Sequence, residues 1–352
     1  MSESPRLRAF LALCAARARE SYREPEVIFW AFVFPVLLSA ALAVAFRNRA
    51  PEPSRALVLE GREAARLLDS LKEAPLVRAE VAGEEAAARA LRMGRADIVV
   101  SIAGPGPEDP VEYRLDPSRP EASIARARVD DALQRAAGRR DPLSSRETAL
   151  TEPGGRYVDF LVPGLIGMNL MSAGMWGVGY ALVDMRIKKL LKRLLATPMR
   201  PADFMLAMMT NRVLSTFVEV GALLGFAHLA LSVPVRGSLF AVGGVALLGA
   251  LSFAGIGLAV ACRAQKIETV TGLMNLVMMP MFVGSGVFFS VERFPALAQT
   301  ALRLLPLTAL NDALRAVTLE GAGLAAQGPR LLLLAAWGVV SFAFGLRFFR
   351  WS

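Results

Sequence analysis

Four stretches of this chain contain no Asp, Glu, Lys or Arg: Val27–Phe46, Phe160–Val183, Gly237–Cys262 and Thr269–Val291. Each reaches the ~20 residues that a helix needs to cross ~30 Å of hydrocarbon. The overall balance of 54% hydrophobic to 20% charged residues agrees with a membrane protein rather than a soluble one.

Two further stretches complete a predicted set of six spans. Val213–Val235 has the length but carries Glu219 and His228, and Leu331–Leu346 is slightly short unless Arg347 and Arg350 snorkel to the interface. Basic residues then give the orientation. Arg6, Arg8, Arg17, Arg19 and Arg23 precede the first span; Arg186, Lys188, Lys189, Lys192, Arg193, Arg200 and Arg212 follow the second; Arg263 and Lys266 follow the fourth, and Arg347 and Arg350 the sixth. With six crossings all of these fall on one side, so both termini are expected in the cytoplasm and residues 47–156 outside it. The net charge of +9 is then concentrated at cytoplasmic membrane edges, where anionic lipid is the expected partner and nucleic acid is not needed.

The leader, residues 1–26, has a pattern of its own. Leu7, Phe10, Leu11 and Cys14 follow helical spacing while Arg6, Arg17 and Arg19 stay polar, which predicts a helix lying flat on the inner surface before Pro25 turns the chain into the bilayer. "SAALAVAFRNRA" offers small residues at signal-peptidase spacing, but the apolar run exceeds the ~7–15 residues of a signal core, so an uncleaved anchor at 27–46 is expected.

Between the first two spans the pattern turns α/β. "RALVLEG", "LVRAEVAG", "ADIVVSIAG" and "VEYRLDP" read as strands, alternating with helical "REAARLLDSLKE" and "EEAAARALRMGRA". "SRPEASIARARVDDALQRAAG" closes the domain as a long helix with Ile124, Val129 and Leu133 on its apolar side. The domain has no cysteine; Cys14 and Cys262 are the only two in the chain, both predicted cytoplasmic, so no disulfide framework is implied.

Several chemistries are excluded by residue inventory. None of the five lysines follows a glycine, so the chain has no Walker A loop. "GSGVFF" at Gly284 lacks the third glycine of a dinucleotide fingerprint and fits a close helix-packing site. One histidine rules out an HExxH metal site, and the two cysteines have no ligand-like spacing. Glu219 and His228, nine residues apart, fall on opposite faces of one helix and cannot act as an acid/base pair within it. An enzyme is not expected.

Polar residues inside spans are the remaining candidates. Glu219 either lines a polar pathway or, a turn or two inside the cytoplasmic edge, snorkels or pairs with Arg212, seven residues back on the same face. His228 fits an interfacial role, Asp159 and Asp184 bracket the second span, and Asn275 suits an interhelical hydrogen bond. The methionine-rich Leu273–Met281, with Met278, suits a lipid or amphipathic path or plain core packing.

The segment "DMRIKKLLKRLLATPMRP" raises the sharpest functional question. Ile187, Leu190, Leu191, Leu194 and Leu195 form one apolar stripe, Arg186, Lys189, Lys192 and Arg193 another face, and Thr197-Pro198 ends the predicted helix 185–197. It is either a positive-inside anchor or an element that passes motion from a cytoplasmic partner to the spans.

This stretch, "IKKLLKRLLATPMRPADFMLA", after a span opened by "YVDFLVPGLIGMNLM", resembles the permease subunit of ABC-2 type exporters. So does "SGVFFSVERFPALAQTALRLLPLTALNDALR", similar to the family's outer segment, in which Phe294-Pro295 and Leu305-Pro306 break short re-entrant helices within 294–320. The glutamate and glycine common around the family's basic stretch are missing. The resemblance implies a mainly α-helical membrane protein: an interfacial N-terminal helix, one span, a small α/β extracytoplasmic domain, then five spans in 157–352.

The resemblance also implies a function. Such a permease forms the export route, pairs with a second permease, a copy of itself or a close paralogue, and is driven by a separate ABC ATPase that carries the ATP and Mg. No cofactor is expected on this chain. Arg186, Ile187, Lys189, Leu190, Lys192, Arg193, Leu194, Thr197 and Pro198 would couple to that ATPase, with the N-terminal helix near Leu7–Arg19, and Glu219, Asn275 and Met278 would lie on the path. The implied location is the bacterial cytoplasmic (inner) membrane, with lipid around the spans. A membrane-anchored sensor or scaffold, with a ligand-binding extracytoplasmic domain, is the alternative reading.

Overall fold

The long uncharged runs become helices. A computed structural model of the chain describes residues 12–15, 19, 23, 25–45, 52–103, 110–140, 143, 155–196 and 201–349. Two units separate: one of Met1–Arg47 with Thr151–Ser352, the other Asn48–Leu150. Of the predicted interfacial helix, residues 12–15 are helical, while Leu7, Phe10 and Leu11 lie outside the described residues.

The membrane unit opens with helix α1, residues 25–45, built from Pro25–Ile28, a π-turn Phe29–Val33 and Phe34–Ala45. Its apolar part, Phe29–Ala45, is shorter than the five helices that are long and apolar enough to cross a membrane among the described residues. The predicted first span at 27–46 therefore stands as a shorter apolar helix.

The α/β unit alternates as its pattern predicts: β1 (Ser54–Leu59), α2 (Ala64–Lys72), β2 (Val77–Ala82), α3 (Glu84–Arg92), β3 (Ile98–Ile102), β4 (Val111–Arg114) and α4 (Pro120–Ala136). The sheet runs β2-β1-β3-β4, the first three strands parallel and β4 antiparallel to β3. Ala56, Val58, Ile98 and Val100 face α2 and α4, where Leu67, Leu71, Ala125 and Val129 complete the core. Ile124 is a correction: it is 51% exposed, and the buried stripe is Ala122, Ala125 and Val129. Five residues separate Ile124 from Val129, ~140° around the helix, whereas steps of three and four keep one face. At the open side Tyr113 donates to Asp130 Oδ1 at 2.9 Å, and burial together with that bond pushes the phenol well above its ordinary value.

The chain then enters α5 (Tyr157–Ile187), interrupted by a π-turn at Met175–Tyr180, followed by the short α6 (Leu190–Leu195) and α7 (Pro201–Leu231). After these come α8 (Leu239–Ala261), α9 (Ile267–Gly284), α10 (Ala296–Arg303), α11 (Pro306–Thr318) and α12 (Gly328–Phe348). Proline starts α11 and lies just inside α12, where its missing N–H costs nothing.

Two spans differ from expectation. α7 begins at Pro201 rather than near Val213, so Arg212 lies inside the helix and not in the preceding loop. α9 ends at Gly284 rather than Val291, because Gly286 takes φ +70° and turns the chain.

α5 and α8 form the heart of the unit, buried on nearly all sides, with Leu161, Leu165, Leu170, Met171, Met175 and Phe253 in the core. Hydrophobicity around the whole helix has this origin. Their backbones meet at glycines: a Cβ on Gly179 would stand 2.5 Å from the Gly257 carbonyl, and one on Gly257 would stand 2.9 Å from Met175 Cα. Gly257→Val should therefore force the helices apart and cost about 1–3 kcal/mol, read as a lower melting temperature and loss of monodisperse protein in detergent.

Candidate coupling and translocation site

The basic stretch after α5 is two helices, not the single helix expected over 185–197. Ile187 ends α5, Lys188 and Lys189 turn the chain, and α6 starts at Leu190. Lys189 sits at φ 56°, a left-handed conformation that costs a non-glycine residue roughly 1–2 kcal/mol. The turn is held by the Lys188 backbone N–H donating to the Asp184 carbonyl at 2.9 Å and by a 2.8 Å ion pair between the side chains of the same two residues.

The break divides the stretch by role. Leu191 is buried with Leu182, Met185, Phe204, Met208, Leu258, Cys262 and Phe349, so one cluster ties α6 to the end of α5, the start of α7 and the ends of α8 and α12. Leu190 packs against it half-buried, while Ile187, Lys189, Lys192 and Arg193 are exposed. The side chain of Leu194, and all of Thr197 and Pro198, lie outside the described residues.

Arg186 belongs to the inward-facing set. Its guanidinium donates to the carbonyls of Ala261 at 3.3 Å, Cys262 at 3.1 Å and Ala264 at 2.5 Å, which lie at and just beyond the end of α8. The last carbonyls of a helix have no partner within it, and its dipole favours a cation there. The same guanidinium lies 4.8 Å from the Phe349 ring centre. Arg186 thus fastens α5 to α8 and α12 at one end of the bundle.

Glu219 is buried in α7 and accepts both arms of the Arg212 guanidinium, at 2.9 and 3.0 Å. Of the sequence alternatives for Glu219, the structure contains the pairing with Arg212. At that spacing, two turns along one face, the fork of Arg212 meets the carboxylate bidentately. Both side chains are under a tenth exposed, and Thr216 between them donates to the Arg212 carbonyl at 2.8 Å.

The three residues assigned to a path are not gathered into one pocket. Asn275 is exposed on α9, where it lines a shallow apolar groove with Gly272, Leu276, Met279, Pro280 and Val283. Met278 is buried in the core. Asn275 makes no side-chain hydrogen bond among the described residues. The interhelical asparagines are others, Asn169 donating to the Ala31 carbonyl in the π-turn of α1 at 3.2 Å and Asn311 donating to the Ser285 carbonyl at 2.9 Å. His228 is exposed, with Nδ1 3.3 Å from the Val233 carbonyl.

The opposite end of the bundle carries a second latch that sequence reasoning missed. Arg315 of α11 stacks 3.6 Å from the Phe160 ring centre, donates to the Phe160 carbonyl at 3.2 Å and also reaches the Gly286 carbonyl. Tyr157 donates to the Phe288 carbonyl at 3.0 Å. Arg156 grips the buried Asp159 and donates to the carbonyls of Leu231 and Ser232 at 3.1 and 2.9 Å. The irregular backbone after Gly284 is held by side chains in place of helical bonds. Among the described residues no group of three or more His, Cys, Asp or Glu side chains is placed to hold a metal ion.

Comparison with known proteins agrees with this architecture. The chain is 30% identical over 165 residues to Nodulation protein J of Rhizobium leguminosarum bv. trifolii, covering 46% of this chain and 62% of that protein. It is 28% identical over 193 residues to Nodulation protein J of Rhizobium meliloti (strain 1021), covering 53% of this chain and 71% of that one. With ABC transporter G family member 20 of Dictyostelium discoideum it shares 24% identity over 179 residues, 50% of this chain but 24% of the other. The model of the family described as ABC-2 family transporter protein matches residues 25–347, from α1 to the last turn of α12, and the chain belongs to that family of multi-pass membrane permeases.

Proposed function

We propose that this chain is the permease subunit of an ATP-driven exporter, working with a separate ABC ATPase and a second permease in a bacterial inner membrane, with both termini cytoplasmic. The observation that carries the reading is the divided basic segment. Arg186 and Leu191 lock it into the ends of α5, α8 and α12, while Ile187, Lys189, Lys192 and Arg193 are left on the surface. A segment with one side bolted to the spans and the other exposed is built to transmit a push. The ATPase supplies ATP and Mg; this chain supplies the moving walls. The exposed apolar face of α9, with Leu276, Met279 and Val283, faces the second permease or the cargo.

The test reconstitutes the chain with its ATPase in lipid vesicles. Three exposed basic contacts of ~0.5 kcal/mol each, removed together as Lys189→Ala, Lys192→Ala and Arg193→Ala, weaken docking about tenfold. The expected result is a matching loss of permease-stimulated ATP hydrolysis with unchanged yield and melting temperature, since the side chains are exposed. Undiminished stimulation would reduce the segment to a membrane anchor.

A further inference from the structure

β2 is an edge strand of the α/β unit: it pairs with β1 on one side, and no described strand flanks the other. We propose that this edge binds the same edge of a second copy of the chain, antiparallel and centred on Ala79, so that two four-stranded sheets join into one of eight.

The hydrogen-bonding direction comes from the parallel ladder. Ser54 N donates to the Leu76 carbonyl and Glu60 N to the Ala82 carbonyl, so the even-numbered residues of β2 turn their backbone groups toward β1. Alternation then points the N–H and C=O of Val77, Ala79 and Val81 outward. The Val77 N–H is already spent on the Ala74 carbonyl. The Ala79 N–H and C=O, the Val81 N–H and the Val77 carbonyl are what the open edge offers.

An antiparallel partner must pair outward-facing residues with each other, which leaves few registers. Centred on Ala79, each Ala79 exchanges two hydrogen bonds with its mate, and each Val81 N–H reaches the Val77 carbonyl of the other copy. Side chains choose this register over its neighbours. Arg78 and Glu80 share one face, are exposed, and make no ion pair among the described residues. Centred on Ala79, each Arg78 lies opposite the Glu80 of the other copy. Moved one residue either way, the strand sets Arg78 against Arg78 or Glu80 against Glu80, and like charges directly opposite are destabilising.

Two details favour an occupied edge. Arg78 stands beside Arg55 of β1 in register, so within one copy its nearest cross-strand neighbour is another cation. Val81 is 43% exposed, and opposite Val77 of the second copy it would be covered. Charged edges commonly repel pairing, but here the charges alternate in sign and attract in one register alone.

The pairing rests on the two-permease reading, and the experiment separates the two. The full-length chain, with Cys14→Ser and Cys262→Ala, carries Ala79→Cys in membranes and is treated with a mild oxidant. A hydrogen-bonded antiparallel pair sets the two Cα atoms ~5.5 Å apart, within disulfide range. The expected result is a disulfide-linked dimer whose yield falls about tenfold with Arg78→Glu and returns with Arg78→Glu plus Glu80→Arg. Val77→Cys alone should give no dimer, because its mate is Val81. Light scattering of the detergent-solubilised chain reports the oligomer independently. A dimer by mass without the Ala79→Cys bridge, or with a bridge indifferent to Arg78→Glu, overturns the strand pairing and leaves the paired permease standing. A monomer by mass without a bridge overturns both.

Discussion

Glu219→Ala is expected to destabilise the membrane unit by about 3–5 kcal/mol, the cost of leaving the other half of a buried ion pair alone. Arg212 is 7% exposed on its side chain and accepts no substitute from Thr216, whose hydroxyl donates to the Arg212 backbone. Arg212→Ala should be similarly severe, and the double change Arg212→Met with Glu219→Met should recover most of the loss, since two apolar side chains of similar volume satisfy each other. Thermal unfolding in detergent measures all three. Transport by the double variant adds a second reading: if the pair is purely structural, a stable double variant exports as well as the parent. A stable double variant that fails to export would show that the charges serve the path itself.

Arg186→Ala is expected to lower stability by about 2–4 kcal/mol, through the charge-assisted hydrogen bonds to three carbonyls and the cation at a helix C-terminus. Arg186→Lys should restore little, because one ammonium cannot reproduce a planar fork spanning the carbonyls of Ala261, Cys262 and Ala264. Protein that survives folding should show basal ATP hydrolysis in the complex but poor coupling to export, since α5 is no longer fastened to α8. Wild-type coupling in Arg186→Ala would remove that side chain from the proposed transmission route.

The spans α5, α8 and α9 were legible because exclusion of charge over ~20 residues has few other causes, and the α/β alternation was legible because apolar period two and period three-to-four differ plainly. A boundary failed where charge misled: Arg212 read as loop, although Pro201 is a fitting first helical residue. The break at Lys189 has no sequence signature, since glycine or asparagine marks left-handed positions and lysine does not. The Arg212–Glu219 pair was one of the alternatives that spacing offered, and the structure contains it. Arg186 and Arg315 were not, because both bind backbone carbonyls of helices distant in sequence, and a carbonyl belongs to every residue alike. Their role is written in tertiary structure.

The π-turn at Met175–Tyr180 carries one residue more than an α-turn would, and each residue advances a helix by ~100°. Everything in α5 beyond Tyr180, Arg186 included, is therefore phased more than a quarter-circle away from where an uninterrupted helix would aim it. The azimuth of the Arg186 fastening is set upstream, by a single inserted residue. A descendant that lost it could keep every basic and apolar letter of the segment around Arg186 and still present them to the wrong neighbours.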